Sequence, residues 1–192
     1  MTLDELVALT RSRLAARERR VVPPGPLIRA AVLVPLVDRA GGPHLVFAKR
    51  TETVGTHKGQ ISFPGGTLDP ADASLLDAAL RECEEEVGLP RAAVEPLGAL
   101  DDTETVATQF VITPWVGVVR EPIAWRPDGE EIEKVIEVPL AALVDPANVR
   151  VEHWERQGVL REIHFFDWGG ETIWGATARI LRHYLDLVLE AR

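Results

Sequence analysis

Apolar and polar positions along this chain fall into two kinds of period. Leu3, Leu6, Val7 and Leu14 recur at helical spacing and predict an amphipathic helix over residues 3–19. Arg11, Arg13, Arg17, Arg19 and Arg20 make its second half basic, a face expected to meet solvent. The proline-bearing segment 21–26 must end it, because proline supplies no N–H and restricts the residue before it. Residues 29–37 are a run of Ala, Val and Leu that reads as a buried strand. Turn-forming residues at 38–43 lead into a second strand over 44–49, so the pair is expected as a hairpin. Segment 54–66 is rich in glycine and predicts mostly loop. A second helix is predicted over 74–87, capped by Asp72 or Ser74 and stopped by Gly88. Strands follow over 94–100, 109–119, 132–138, 149–154 and 159–168. A polar loop spans 121–131, and a helical turn is expected over 140–144, after Pro139. Residues 172–189 read as a closing helix. Strands that mostly lack helices between them argue for an α+β fold.

Length and composition narrow the functional classes. At 192 residues the chain suits one domain with a helical appendage. Its apolar share of 46% and charged share of 27% exclude wholesale disorder. A net charge of −9 argues against gripping nucleic acid or an anionic membrane by bulk charge. A phosphate-bearing substrate would therefore need local cations or a bound metal. Cys83 is the only cysteine, which excludes an intrachain disulfide and a cysteine-rich zinc site. It fits a reducing, cytoplasmic setting. The acidic first residues do not read as a signal peptide, and the apolar run at 30–37 is far short of a membrane span.

The helix over 74–87 carries the candidate chemistry. At about 100° per residue, Glu86 falls near 40° from Glu82 and Glu85 near −60°. Leu76, Leu80, Cys83 and Val87 fall roughly between 100° and 160°, so the acids are expected to share a face away from the buried one. Such a run is commonly just a solvated acidic surface. Phe63-Pro64-Gly65-Gly66 changes that balance, because it is a tight turn where backbone can approach a ligand and it leads straight into the acidic helix. Backbone carbonyls and three carboxylates suit a hard divalent cation held beside a polyphosphate. Arg81 stands four residues before Glu85 and can hold that carboxylate in place.

Residues 66–89 resemble the Nudix box, G-x5-E-x7-R-E-U-x-E-E-x-G-U with U aliphatic. Arg81-Glu82-Cys83-Glu84-Glu85-Glu86-Val87-Gly88-Leu89 matches every specified place when Cys83 counts as apolar. The first half departs from the pattern. Asp72 stands where the box has its first glutamate, and one extra residue separates it from Arg81. Leu45-Val46-Phe47-Ala48-Lys49-Arg50, followed by His57-Lys58-Gly59-Gln60-Ile61-Ser62-Phe63-Pro64-Gly65-Gly66, is similar to the motif preceding the box in the coenzyme A pyrophosphatases of this superfamily.

The resemblance implies an α/β/α sandwich around a mixed sheet, spanning residues 27–192, with 1–26 as an N-terminal helix and proline-rich linker. It implies hydrolysis of coenzyme A to 3′,5′-ADP and 4′-phosphopantetheine. Another nucleotide, such as ADP-ribose, a dinucleoside polyphosphate or a nucleoside triphosphate, is the alternative substrate. A non-catalytic nucleotide-binding module is a further alternative, disfavoured because the box glutamates are all present. Carried over, Glu82, Glu85 and Glu86 are ligands of Mg²⁺ or Mn²⁺, with the Gly66 carbonyl as a further ligand. Glu131, in the loop before Val138-Pro139-Leu140, is the loop candidate for the general base, with Glu82 and Glu85 as the box candidates. Arg29, Lys49, Arg50, His57 and Lys58 are candidate contacts for the anionic substrate. Trp125 is a candidate for stacking on adenine. The expected partner is a small molecule rather than nucleic acid or membrane, and the expected state is a monomer or homodimer.

Overall fold

A computed structural model describes residues 1–23, 25–52, 59–105, 109–156 and 158–189. The chain runs α1 (Leu3–Ala15), β1 (Ile28–Arg39), β2 (Gly42–Arg50), β3 (Ile61–Ser62), β4 (Gly65–Thr67), α2 (Leu75–Val87), β5 (Val94–Ala99), β6 (Thr103–Glu104) and β7 (Phe110–Val119). It continues through β8 (Ile132–Pro139), α3 (Leu140–Leu143), β9 (Val149–Arg156), β10 (Val159–Trp168), β11 (Glu171–Ile173) and α4 (Gly175–Leu189).

β1 is the spine. It pairs antiparallel with β2 and β4, and parallel with β7 from Ile28↔Phe110 to Val37↔Val119. β8 flanks β2 and β5 flanks β7, so the sheet is mixed. β9, β10 and β11 form a second, three-stranded sheet. Strand alternation sorts the apolar side chains into two layers. Val34 and Leu36 of β1, Leu45 and Phe47 of β2, and Val116 and Val118 of β7 pack with α1 and α4. Leu33, Val37, Val46, Ala48 and Val119 pack on the opposite side with Cys83 and Val87 of α2. The result is a helix–sheet–helix sandwich with the predicted hairpin at its centre. No helix among the described residues is long and apolar enough to cross a membrane.

Two boundaries differ from the periodicity. α1 ends at Ala15, not near residue 19. The expected basic helical face is instead extended chain held by carboxylates from 80 residues away. Arg17 pairs with Asp101 and Arg19 with Asp102, while the N–H groups of Arg20 and Val22 donate to Asp101 at 3.0 Å and to Asp102 at 2.9 Å. The C-terminal helix begins at Gly175, because Glu171–Ile173 pair with Trp168–Phe166 as a strand. Within the segment expected as loop, β3 and β4 are short strands, and residues 53–58 lie outside the described residues.

Candidate active site

The site forms where α2 lies across β1 and β4. Ser74 caps α2 by accepting the Asp77 N–H at 3.1 Å, and Gly88 closes it in a left-handed conformation with φ +69°. Ala78 and Ala79 are fully buried beside Ala31, small enough to let the helix approach the sheet closely. Gly65 and Gly66 belong to the same close approach. A Cβ at Gly65 would stand 2.3 Å from the Ala31 carbonyl oxygen, and one at Gly66 would stand 2.5 Å from the Glu82 carboxyl carbon.

This geometry corrects the helical phase expected from the apolar positions. The buried residues of α2 are Ala78, Ala79, Cys83, Glu86 and Val87, so Glu86 lies inside the buried face, not opposite it. Glu86 is 8% exposed, and its carboxylate accepts the Gly65 N–H at 2.9 Å. Burial pushes its pKa up to about 8, with Glu82 and Glu131 adding to the rise and the Gly65 N–H and Arg50 opposing it. Burial also raises Glu82, against the pull of Arg81 and with help from Glu85 and Glu131. Glu85 is largely exposed and turned toward Arg81, 3.0 Å away. Glu84 points away from the group and pairs with Arg91 at 3.2 Å.

Arg81 is the hub of this network. It donates to Asp72 at 3.0 and 3.1 Å and to the Thr67 carbonyl at 3.1 Å, and it pairs with Glu82 at 2.9 Å. Asp72, the alternative cap expected for this helix, does not cap it and serves Arg81 instead. Its side chain is 2% exposed, and the Arg81 bond holds its pKa below the ordinary carboxylate value. The extra residue before α2 is absorbed in a turn where Asp72 accepts the Asp69 N–H at 2.8 Å, so this acid still reaches Arg81.

Glu131 arrives from the loop before β8. Arg50, at the end of β2, donates to its carboxylate at 3.0 Å. The charges of Glu131 and Arg50 act on Glu86, which brings both expected residues to the box acids. One nitrogen of Arg50, Nε, is buried with no hydrogen-bond partner among the described residues. Lys49 is engaged by Glu171 at 3.0 Å and by Glu133 at 3.9 Å. Arg29 is not gathered with these groups; its guanidinium serves the Val22 carbonyl at 3.0 Å and the buried Asp102 at 3.4 Å. His57 and Lys58 lie outside the described residues. Trp125 lines a cleft of about 600 Å³ with Arg39, Ile123, Val135 and Glu137, and its indole N–H is taken by Glu137.

Among the described residues no three acids, histidines or cysteines are already closed around a metal position. The donor set nonetheless fits a hard divalent cation. Glu82 and Glu86 are neighbouring carboxyls, each raised by burial and by the charge of the other acids, a repulsion that a cation reverses. Glu85 is free to turn from Arg81 because its side chain is 60% exposed.

Comparison with known proteins gives the family and the fold. The family model described as NUDIX domain matches residues 27–160. The Nudix hydrolase NudL of Salmonella newport, named as uncharacterized, is 39% identical over 154 residues, covering 80% of this chain and 79% of the relative. NudL of Salmonella enteritidis matches equally, 39% identical over the same shares. Among solved structures, a MutT/nudix family protein from Enterococcus faecalis covers 95% of this chain and 69% of its own, with TM-score 0.58 and 15% identity. A C. elegans Ap4A hydrolase covers 60% of this chain and 82% of its own, with TM-score 0.50 and 18% identity. At these identities the solved structures speak for the fold alone.

Proposed function

The chain belongs to the Nudix hydrolase family, and from that premise we propose that it hydrolyses the pyrophosphate bond of coenzyme A to 3′,5′-ADP and 4′-phosphopantetheine. Nudix pyrophosphohydrolase chemistry is supported by the family and by the intact acids Glu82, Glu85 and Glu86. The observation favouring coenzyme A is the segment 45–66. Its Lys49 and Arg50 end β2 beside the box, and its last two glycines form the turn against Glu82 and Glu86.

Glu82, Glu85, Glu86 and the Gly66 carbonyl are the residues that would hold Mg²⁺ or Mn²⁺. Such an ion, when bound, offsets the charge of the pyrophosphate and makes its phosphorus more electrophilic. Glu131 takes the proton from the attacking water as general base. The new P–O bond forms as the bridging P–O bond breaks. Arg50, whose Nε has no hydrogen-bond partner among the described residues, shares its guanidinium between Glu131 and a substrate phosphate in this reading. Arg81, itself fixed by Asp72, holds Glu82 and Glu85 in position. Lys49, His57 and Lys58 are further proposed contacts for substrate phosphates.

Another nucleotide substrate is the second reading, because the residues gripping the far end of the substrate decide between them and the box does not. The test is a product analysis with coenzyme A, dephospho-coenzyme A, ADP-ribose, a dinucleoside polyphosphate and a nucleoside triphosphate, under one metal condition. A higher kcat/KM for coenzyme A supports the proposal. A clear preference for any other member of the panel removes the coenzyme A assignment and leaves the pyrophosphohydrolase.

A further inference from the structure

One side chain gathers the backbone N–H groups of the turn that carries Glu131, and the Thr51 hydroxyl adds a bond to the Glu130 carbonyl at 2.9 Å. A single carboxylate oxygen of Asp128 accepts three consecutive backbone N–H groups, those of Glu130 at 3.1 Å, Glu131 at 3.0 Å and Ile132 at 2.8 Å. Gly129, in the left-handed region at φ +75°, lets the chain fold back so that its own N–H reaches the Ile132 carbonyl at 3.1 Å. Backbone bonds then tie this turn to both sides of the site. The Asp128 N–H donates to the Glu86 carbonyl at 3.1 Å, and the Thr51 N–H donates to the Glu131 carbonyl at 2.8 Å.

These are the end of the acidic helix and the residue after Arg50. The surrounding loop has no regular secondary structure to hold it. Exposed turns with few apolar contacts are the first parts of a fold to open. Asp128 itself is exposed, and among the described residues its carboxylate bonds to no side chain of the box acids or of Arg81, so its role is exerted through the backbone.

We infer that Asp128 is a positioning residue whose carboxylate, by collecting these three N–H groups, fixes the Glu131 carboxylate over the box acids. The inference rests on Glu131 being the general base. A base must stand within hydrogen-bond reach of the proton it removes, and a displacement of about 1 Å costs roughly a hundredfold in rate.

The experiment compares wild type, Asp128→Ala, Asp128→Asn, Glu131→Gln and the double variant Asp128→Ala/Glu131→Gln. Each is the full chain loaded with Mn²⁺, with coenzyme A as probe, or ADP-ribose if coenzyme A is not cleaved. Asp128→Ala is expected to lower kcat by about 30- to 100-fold with KM within about twofold. Asp128→Asn keeps an acceptor oxygen and is expected to stay within about threefold of wild type. In the Glu131→Gln background the alanine substitution should cost no more than about twofold, because the group it positions is already gone. If Asp128→Ala does not fold, Asp128→Ser, with a shorter acceptor, replaces it in the same cycle. A full loss on top of Glu131→Gln overturns the inference, as does an asparagine variant as slow as alanine. If Glu131→Gln alone keeps wild-type kcat, the base assignment falls and takes this inference with it, a result distinct from either of those.

Discussion

Replacing Glu86 by glutamine should stabilise the metal-free protein while abolishing its activity. Glu86 sits in the buried face of α2 with its carboxyl pushed from an ordinary 4.5 up to about 8. In the unfolded chain it ionises near its ordinary value. Between those two pKa values the folded state holds a proton that the unfolded state has lost, so stability falls as pH rises and levels off above about 8. At 1.36 kcal/mol per pH unit the whole fall is on the order of 5 kcal/mol, of which about 4 kcal/mol lies between pH 5 and 8.5. Glutamine can still accept the Gly65 N–H and carries no charge to desolvate. The two proteins should therefore melt alike near pH 5 in EDTA and diverge as pH rises. By pH 8.5 the variant should lead by about 8 to 16 °C, taking about 2 to 4 °C per kcal/mol for a chain of this size. Acids remote from Glu86 shift both curves together and cancel in the difference. Adding Mn²⁺ should raise the wild-type curve and leave the variant's nearly unmoved, because only the former keeps a full ligand set. The assay is thermal unfolding from pH 5 to 9, with and without metal. Curves that stay parallel across this range would refute the buried, proton-holding state of Glu86.

Stripping divalent metal with EDTA should abolish turnover, with recovery on adding Mg²⁺ or Mn²⁺; turnover that persists in the stripped protein counts against the carboxylate metal site. Glu82→Gln should cut kcat by orders of magnitude, whereas Glu84→Gln, whose side chain pairs with Arg91 away from the site, should stay near wild type; equal losses would mean that the helix phase is wrong. Dephospho-coenzyme A should be cleaved about tenfold to a hundredfold less efficiently than coenzyme A, the loss of one charge-assisted phosphate contact, and equal kcat/KM values would deny that contact. Burial alone would raise the pKa of Asp102, but the bonds from Thr113, the Val22 N–H and Arg19 outweigh it and hold it below 3.8. Its stabilisation is therefore full above that value and lost as pH falls through the folded pKa, so Asp102→Asn should flatten the acid limb of the unfolding curve relative to wild type.

α2 was legible as far as its interactions are local. Ser74 at its start, Gly88 at its end and the spacing from Arg81 to Leu89 act within a few residues of each other, so composition and order define the helix and its family pattern. The β1–β2 hairpin is legible for the same reason, since its turn joins two runs meant for burial. The one-residue departure in the box was visible too, but its outcome was not. That Asp72 still reaches Arg81 depends on the loop's path in space.

Tertiary structure alone decided how far the buried side of α2 extends. Counting apolar residues places Leu76, Leu80, Cys83 and Val87 on the inner face. Cys83 and Val87 are buried there as counted, and contact with the Gly65–Gly66 turn adds Ala78, Ala79 and Glu86, because small side chains let the helix come close and a backbone N–H donates to the carboxylate. The end of α1 was likewise set by Asp101 and Asp102, and the partner of Glu131 by Arg50, 81 residues away in sequence. Charged partners so far apart leave no period in the chain. Their pairing is worth its loop-closure cost only once the sheet has brought their strands together.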